Sequence, residues 1–103
     1  MQLNLPPSKY LTVTDVAGTS DTIAAVDLGQ ILRYTNSSLV TVTLPDGLGI
    51  GFTVNLLAWG AAGVAVQDNG TSTVFPEGSV VQYDEVSCVV VAADTWSVQG
   101  PVT

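Results

Sequence analysis

The sequence predicts an all-β fold, a small antiparallel β-sandwich or flattened β-barrel, and three observations carry that expectation. Apolar and polar residues alternate with a period of two over several short segments, the spacing at which a strand turns one face inward. Val, Ile and Thr fill those segments, and branching at Cβ favours the extended backbone. Turn residues recur roughly every eight to twelve residues, as between the strands of a sandwich or barrel.

Each element follows in chain order. Residues 1–9 differ from the rest: Leu3 and Leu5 alternate, and Pro6-Pro7 favours an extended course, so they read as an N-terminal arm. An arm has no core of its own, and ordering it costs about 1–2 kcal/mol per residue. Leu3, Leu5, Pro6 and Pro7 are therefore candidate contacts to another chain. The domain proper is expected over 10–103. Its strands are read at Tyr10–Thr14, Gln30–Tyr34, Ser38–Leu44, Phe52–Trp59, Gly63–Gln67, Thr71–Phe75, Ser79–Tyr83, Val86–Ala92 and Thr95–Gln99. Thr22–Leu28 is the one segment with a helical look, and it is too short to stand alone. Pro45-Asp46-Gly47, Gly60-Ala61-Ala62-Gly63 and Pro76-Glu77-Gly78 break the chain between strands, and Asp68-Asn69-Gly70 reads as a hairpin-type turn. We find no linker, no low-complexity tract and no repeat of fixed period.

Composition bounds the function. Of the 103 residues 47% are hydrophobic and 11% charged, against about 25% charged in ordinary soluble domains. A small domain this apolar is expected to bury area against a partner. Nine acids face two bases, Lys9 and Arg33, for a net charge of −7. Binding nucleic acid or anionic lipid relies on Lys and Arg, so neither is an expected partner. No run approaches the roughly 18 apolar residues of a membrane span, and no basic-then-apolar leader opens the chain.

The residue types for catalysis are sparse. Without histidine, Ser-His and Cys-His nucleophile pairs and His-based zinc sites cannot form. The lone Cys88 sits in the apolar run Val86–Val91 and reads as a small buried core residue. Asp15, Asp21, Asp46, Asp68, Asp84 and Asp94 all occupy turn contexts, where an Asp side chain bonds nearby backbone amides. Asp68–Thr71 with Asp84-Glu85 could supply some calcium oxygens if they met in space. Gly47–Gly51 is glycine-rich but lacks the lysine and helix of a phosphate loop. Asn36-Ser37-Ser38 and Asn69-Gly70-Thr71 match the glycosylation triplet, a pattern common by chance. The expectation is no enzyme and no cofactor.

Two residues remain open. Trp59 closes the most apolar strand beside a glycine loop, as a core residue or an interface anchor. Arg33 shares a face with Ile31: if that face is inward it needs an acid such as Asp27 or Asp94, and if outward it is a solvated surface arginine.

The order of segments resembles a known family. Val26–Asn36 leads into Val40-Thr41-Val42-Thr43-Leu44-Pro45, then Gly51–Leu56, Gly63–Val66 and the closing Ala93-Asp94-Thr95-Trp96-Ser97-Val98-Gln99-Gly100. This is similar to a small β-domain of tailed-bacteriophage virion proteins, found in head decoration (cement) proteins, tail fibres and tailspikes. The resemblance covers roughly residues 20–100. Asp68–Thr73 stands where the family has a glycine-rich core segment, and the arm is not part of the pattern. The resemblance implies a structural virion protein on the outer capsid surface, with the major capsid protein as partner and a homotrimer as the assembly suited to local three-fold positions. The alternative is a tail or head fibre module that binds a host glycan. No catalytic residue is implied.

Overall fold

In a computed structural model of the chain, residues 11–103 are described. The arm over 1–9, with Leu3, Leu5, Pro6 and Pro7, lies outside the described residues, as does Tyr10. The strands are β1 (Val13–Val16), β2 (Ser20–Thr22), β3 (Ile31–Tyr34), β4 (Val40–Leu44), β5 (Thr53–Ala58), β6 (Val64–Asp68), β7 (Thr73–Phe75), β8 (Gly78–Val80), β9 (Glu85–Ala92) and β10 (Thr95–Gln99). The all-β expectation holds. Within Thr22–Leu28, where Thr22 closes β2, the one helical element is a 3₁₀ turn over Ala25–Asp27, held by the Ala24 N–H donating to the Asp27 carboxylate at 2.9 Å.

The pairing departs from the expected antiparallel arrangement. One sheet has the order β1-β3-β5-β9-β10-β7 and the other β2-β4-β6-β8. From β1 to β6 the chain changes sheet at every strand, so strands two apart pair in parallel: β1 with β3, β3 with β5, β2 with β4 and β4 with β6. Only β5/β9, β9/β10 and β6/β8 are antiparallel. The path is solenoid-like rather than a clear sandwich or barrel. Period-two alternation reports which face is inward, and it is the same for parallel and antiparallel neighbours. The Asp68-Asn69-Gly70 turn likewise joins β6 to β7 in the opposite sheet and does not make a hairpin.

A repeat emerges that the residue pattern hides. Ile31 pairs with Asn55 and Val40 with Val64, a step of 24 residues in both sheets. The same step sets the corner at Asn36 against that at Gly60. There the Asn36 side chain donates to the Ala17 carbonyl at 3.0 Å and accepts from the Ser38 N–H at 2.9 Å. The Gly60 N–H donates to the Tyr34 carbonyl at 3.0 Å. The Asn36 side chain therefore ties its own coil to the preceding one, the Tyr34 carbonyl ties it to the next, and the Asn36 amide is already engaged at the glycosylation-like triplet. β2, Ser-Asp-Thr, escaped the sequence reading because it has no apolar residue to alternate.

The inward positions of both sheets form one core. Leu32, Tyr34, Val54, Leu56, Val86, Cys88, Val90, Trp96 and Val98 from the larger sheet meet Val40, Val42, Leu44, Val64, Val66 and Val80 from the smaller, with Ile23 between them. Cys88 is buried, as expected, and burial pushes its thiol up to about 12, so it stays protonated at neutral pH. Tyr34 is buried up to its hydroxyl, which donates to Asp21 Oδ2 at 2.8 Å. Desolvation raises the Asp21 pKa above its ordinary 3.8, more than the Tyr34 hydrogen bond lowers it. An acid whose pKa is raised on folding destabilises the fold as pH climbs through the raised value. Asp21→Asn keeps an acceptor for Tyr34 and removes that cost. Its melting temperature is expected to match wild type near pH 3.5 and to exceed it at pH 7, measured by thermal circular dichroism at both pH values.

Candidate docking surface

The outward faces hold the residues that remain to be explained. A cross-strand row on the larger sheet runs Asp15, Arg33, Leu57, Glu85, each paired with the next in register. Arg33 points outward, because Leu32 and Tyr34 take the core positions. Its partner is Asp15, not Asp27 or Asp94: Nε donates to Oδ1 at 2.6 Å and Nη2 to Oδ2 at 3.1 Å. The guanidinium beside Asp15 holds that carboxyl below its usual value. Glu85 accepts instead from the Asn55 side-chain amide at 2.9 Å.

Trp59 lies just past the end of β5, two residues after Leu57 of this row, and resolves as a surface residue, 45% exposed. Its N–H donates to the Tyr34 carbonyl at 3.0 Å, which fixes the strand end. The Arg33 guanidinium sits 5.4 Å from the centroid of its ring. Tyr83, 65% exposed, meets it edge to face, with centroids 5.2 Å apart and planes at 74°. Gln82 Nε2 donates to the Trp59 carbonyl at 3.1 Å. Val81, also exposed, opens the turn that carries Tyr83. The structure thus brings Trp59 together with Arg33, which the sequence singled out separately. Tyr83 was read as the end of a strand that in fact stops at Val80.

The backbone beneath Tyr83 is unusual. The Asp84 N–H donates to the Val81 carbonyl at 3.0 Å, closing a turn in which Tyr83 has φ 72° and Gln82 is not left-handed. That is the pattern of a type II turn, whose third position favours Gly or Asn. A bulky aromatic there is uncommon and strained. The backbone is held by the Tyr83 N–H donating to the Ala58 carbonyl at 2.6 Å. The strain projects an aromatic ring beside Trp59 that a glycine would not supply.

Elsewhere the acids serve turns. Asp46 accepts from Asn69 and Thr71 side chains at 3.1 and 2.8 Å, which lowers its pKa, and Asp68 accepts from the Gly70 N–H at 3.0 Å. Asp94 accepts from the Gly47 N–H at 2.9 Å. Among the described residues no three acids, cysteines or histidines group closely enough to hold a metal ion, so Asp68–Thr71 and Asp84-Glu85 do not converge as a calcium site. Trp96, by contrast with Trp59, is fully buried.

Compared with known proteins, the chain matches no family model, no curated protein and no solved structure.

Proposed function

We propose that this chain is a structural protein of a bacteriophage virion, a decoration protein that binds the outer capsid surface as a homo-oligomer, with a trimer favoured and the major capsid protein as partner. The observation that carries this reading is the exposed Trp59–Tyr83 pair with Arg33 on a β-scaffold. Trp, Tyr and Arg are the side chains that dominate binding hot spots, and here they are fixed by strand ends and a closed turn rather than by a loose loop. The low charge and the segment order quoted above support it. The two facing sheets then act as a flattened, sandwich-like plate. Copies that bridge neighbouring capsid subunits bury apolar area at about 25 cal/mol per Å² and resist separation through avidity.

The second reading, a fibre module for a host glycan, is favoured by the exposed Tyr83 ring beside Asp84 and Glu85. Arg33 covers part of the Trp59 ring, which leaves a sugar or any other ligand the rest of that ring and Tyr83 to pack on.

The test is co-sedimentation of the purified protein with capsid shells stripped of it. Wild type is expected to saturate at a fixed ratio to the major capsid protein, and Trp59→Ala to bind at least about tenfold more weakly. Failure of wild type to bind shells, with retention of glycans on a sugar array, would replace this reading by the second.

A further inference from the structure

We propose that the corner between Trp59 and Tyr83 takes residues 6–9 of a second copy of this chain, with Pro7 against the two rings and Lys9 on Glu85. The proposal rests on the reading of this corner as a docking surface and names what fills it.

Two rings set at 74° and 5.2 Å apart leave an L-shaped apolar corner. Such corners suit a prolyl ring, because proline packs flat on aromatic faces and a polyproline segment loses little entropy on docking. Pro6-Pro7 is the chain's only Pro-Pro pair. Lys9 and Arg33 are its only cations, and Arg33 is committed to Asp15 through two hydrogen bonds. Glu85, at the far end of the same row, has an amide for a partner and no cation among the described residues. Spacing agrees as well. In a polyproline conformation Pro7 and Lys9 would lie about 6 Å apart. Tyr83 and Glu85, also two residues apart, can be separated by no more than about 7 Å.

The partner must be another copy. β1, β3 and β5 run parallel, with Val16, Tyr34 and Ala58 aligned. Trp59 therefore lies at the end of the sheet towards which β1 runs, and Leu11 lies at the other. Six residues of strand rise and two strand spacings separate them, roughly 22 Å. Pro7 is four residues before Leu11 and reaches at most about 14 Å from it. A chain cannot lay its own Pro7 in its own corner, but a neighbour can. Arm-to-corner contacts of this kind run head to tail and close into a ring when the rotation permits.

The experiment is sedimentation equilibrium of full-length chains without capsid. Wild type is expected to associate. A corner variant (Tyr83→Gly, which suits the left-handed turn position) and an arm variant (Pro6→Gly, Pro7→Gly, Lys9→Glu) are each expected to associate at least about tenfold more weakly, with unchanged circular dichroism. An equimolar mixture of the two should associate again, because the intact arm of one meets the intact corner of the other. Glu85→Lys should weaken association and Lys9→Glu in the same chain should restore it. A monomeric wild type, variants that associate as wild type does, or a mixture without recovery would each overturn the proposal. Association that follows this pattern without any binding to capsid shells would leave it standing and sink the decoration reading. Shell binding by a monomeric chain would do the reverse.

Discussion

Trp96→Ala is expected to remove a large share of the stability of the fold. The ring is fully buried, meets Phe52 edge to face at 5.7 Å, and donates from Nε1 to the Pro45 carbonyl at 2.8 Å. It thereby ties β10 to the turn that follows β4, joining the two sheets at one end of the core. Loss of a buried Trp costs about 3–5 kcal/mol, through transfer and the cavity left behind. A domain of this size holds about 5–15 kcal/mol in total. At roughly 4–8 °C per kcal/mol, the melting temperature should fall by about 12–40 °C. Trp96→Phe keeps a ring against Phe52 but loses the hydrogen bond and volume, and should cost about half as much. Thermal denaturation followed by far-UV circular dichroism reads both. A Trp96→Ala protein that melts within a few degrees of wild type would show that the core does not depend on this ring.

Gly60→Ala is expected to be nearly as damaging, although it adds only one methyl group, because the position is buried at the corner between two coils. A Cβ at Gly60 would stand 1.8 Å from the Asn36 carbonyl oxygen and 2.6 Å from its carbon, both backbone atoms. Neither can move without opening the corner where Asn36 bonds Ala17 and where Tyr34 receives the Trp59 and Gly60 amides. Separating the two coils there should cost about 3 kcal/mol or more, in the range of severe backbone clashes and overpacking. Gly49→Ala is the control. It has open space around the new Cβ and no left-handed φ, so it should be neutral or stabilising by up to about 1 kcal/mol. Urea titration of the two variants separates these outcomes. Equal midpoints for Gly60→Ala and Gly49→Ala would mean that the coils are not in contact at Asn36.

The alternation in Val40-Thr41-Val42-Thr43-Leu44 was enough to place β4, because a strand's side chains must alternate whatever it pairs with, whereas Val86–Ala92 was legible as a strand only by its apolar run, which is valine on both faces and does not choose its inward residues. The same alternation placed Leu32 and Tyr34 on one face and Arg33 on the other. Cys88 was legible as core because an unflanked thiol in an apolar run has nothing to ionise it. Pairing direction was not legible. It depends on whether each turn returns the chain to the same sheet or sends it across the core, and the turns at Leu44–Thr53 and Ala58–Val64 send it across. The 24-residue step was hidden for a related reason: Asn36 and Gly60 occupy equivalent corners with unlike side chains, since one needs an amide and the other needs no Cβ.

Of the candidate site, the sequence by itself marked Trp59, the scarcity of cations and the proline pair of the arm. Only the tertiary structure decided that Trp59 is outward, that Arg33 lies over its ring beside Asp15, and that Tyr83 stands next to it. Tyr83 is 24 residues further along the chain and reaches that place through a left-handed turn. The physical reason is that composition and periodicity are properties of one strand at a time. A docking surface is made of strand ends and turns that meet only when the sheets have been wound and the register fixed.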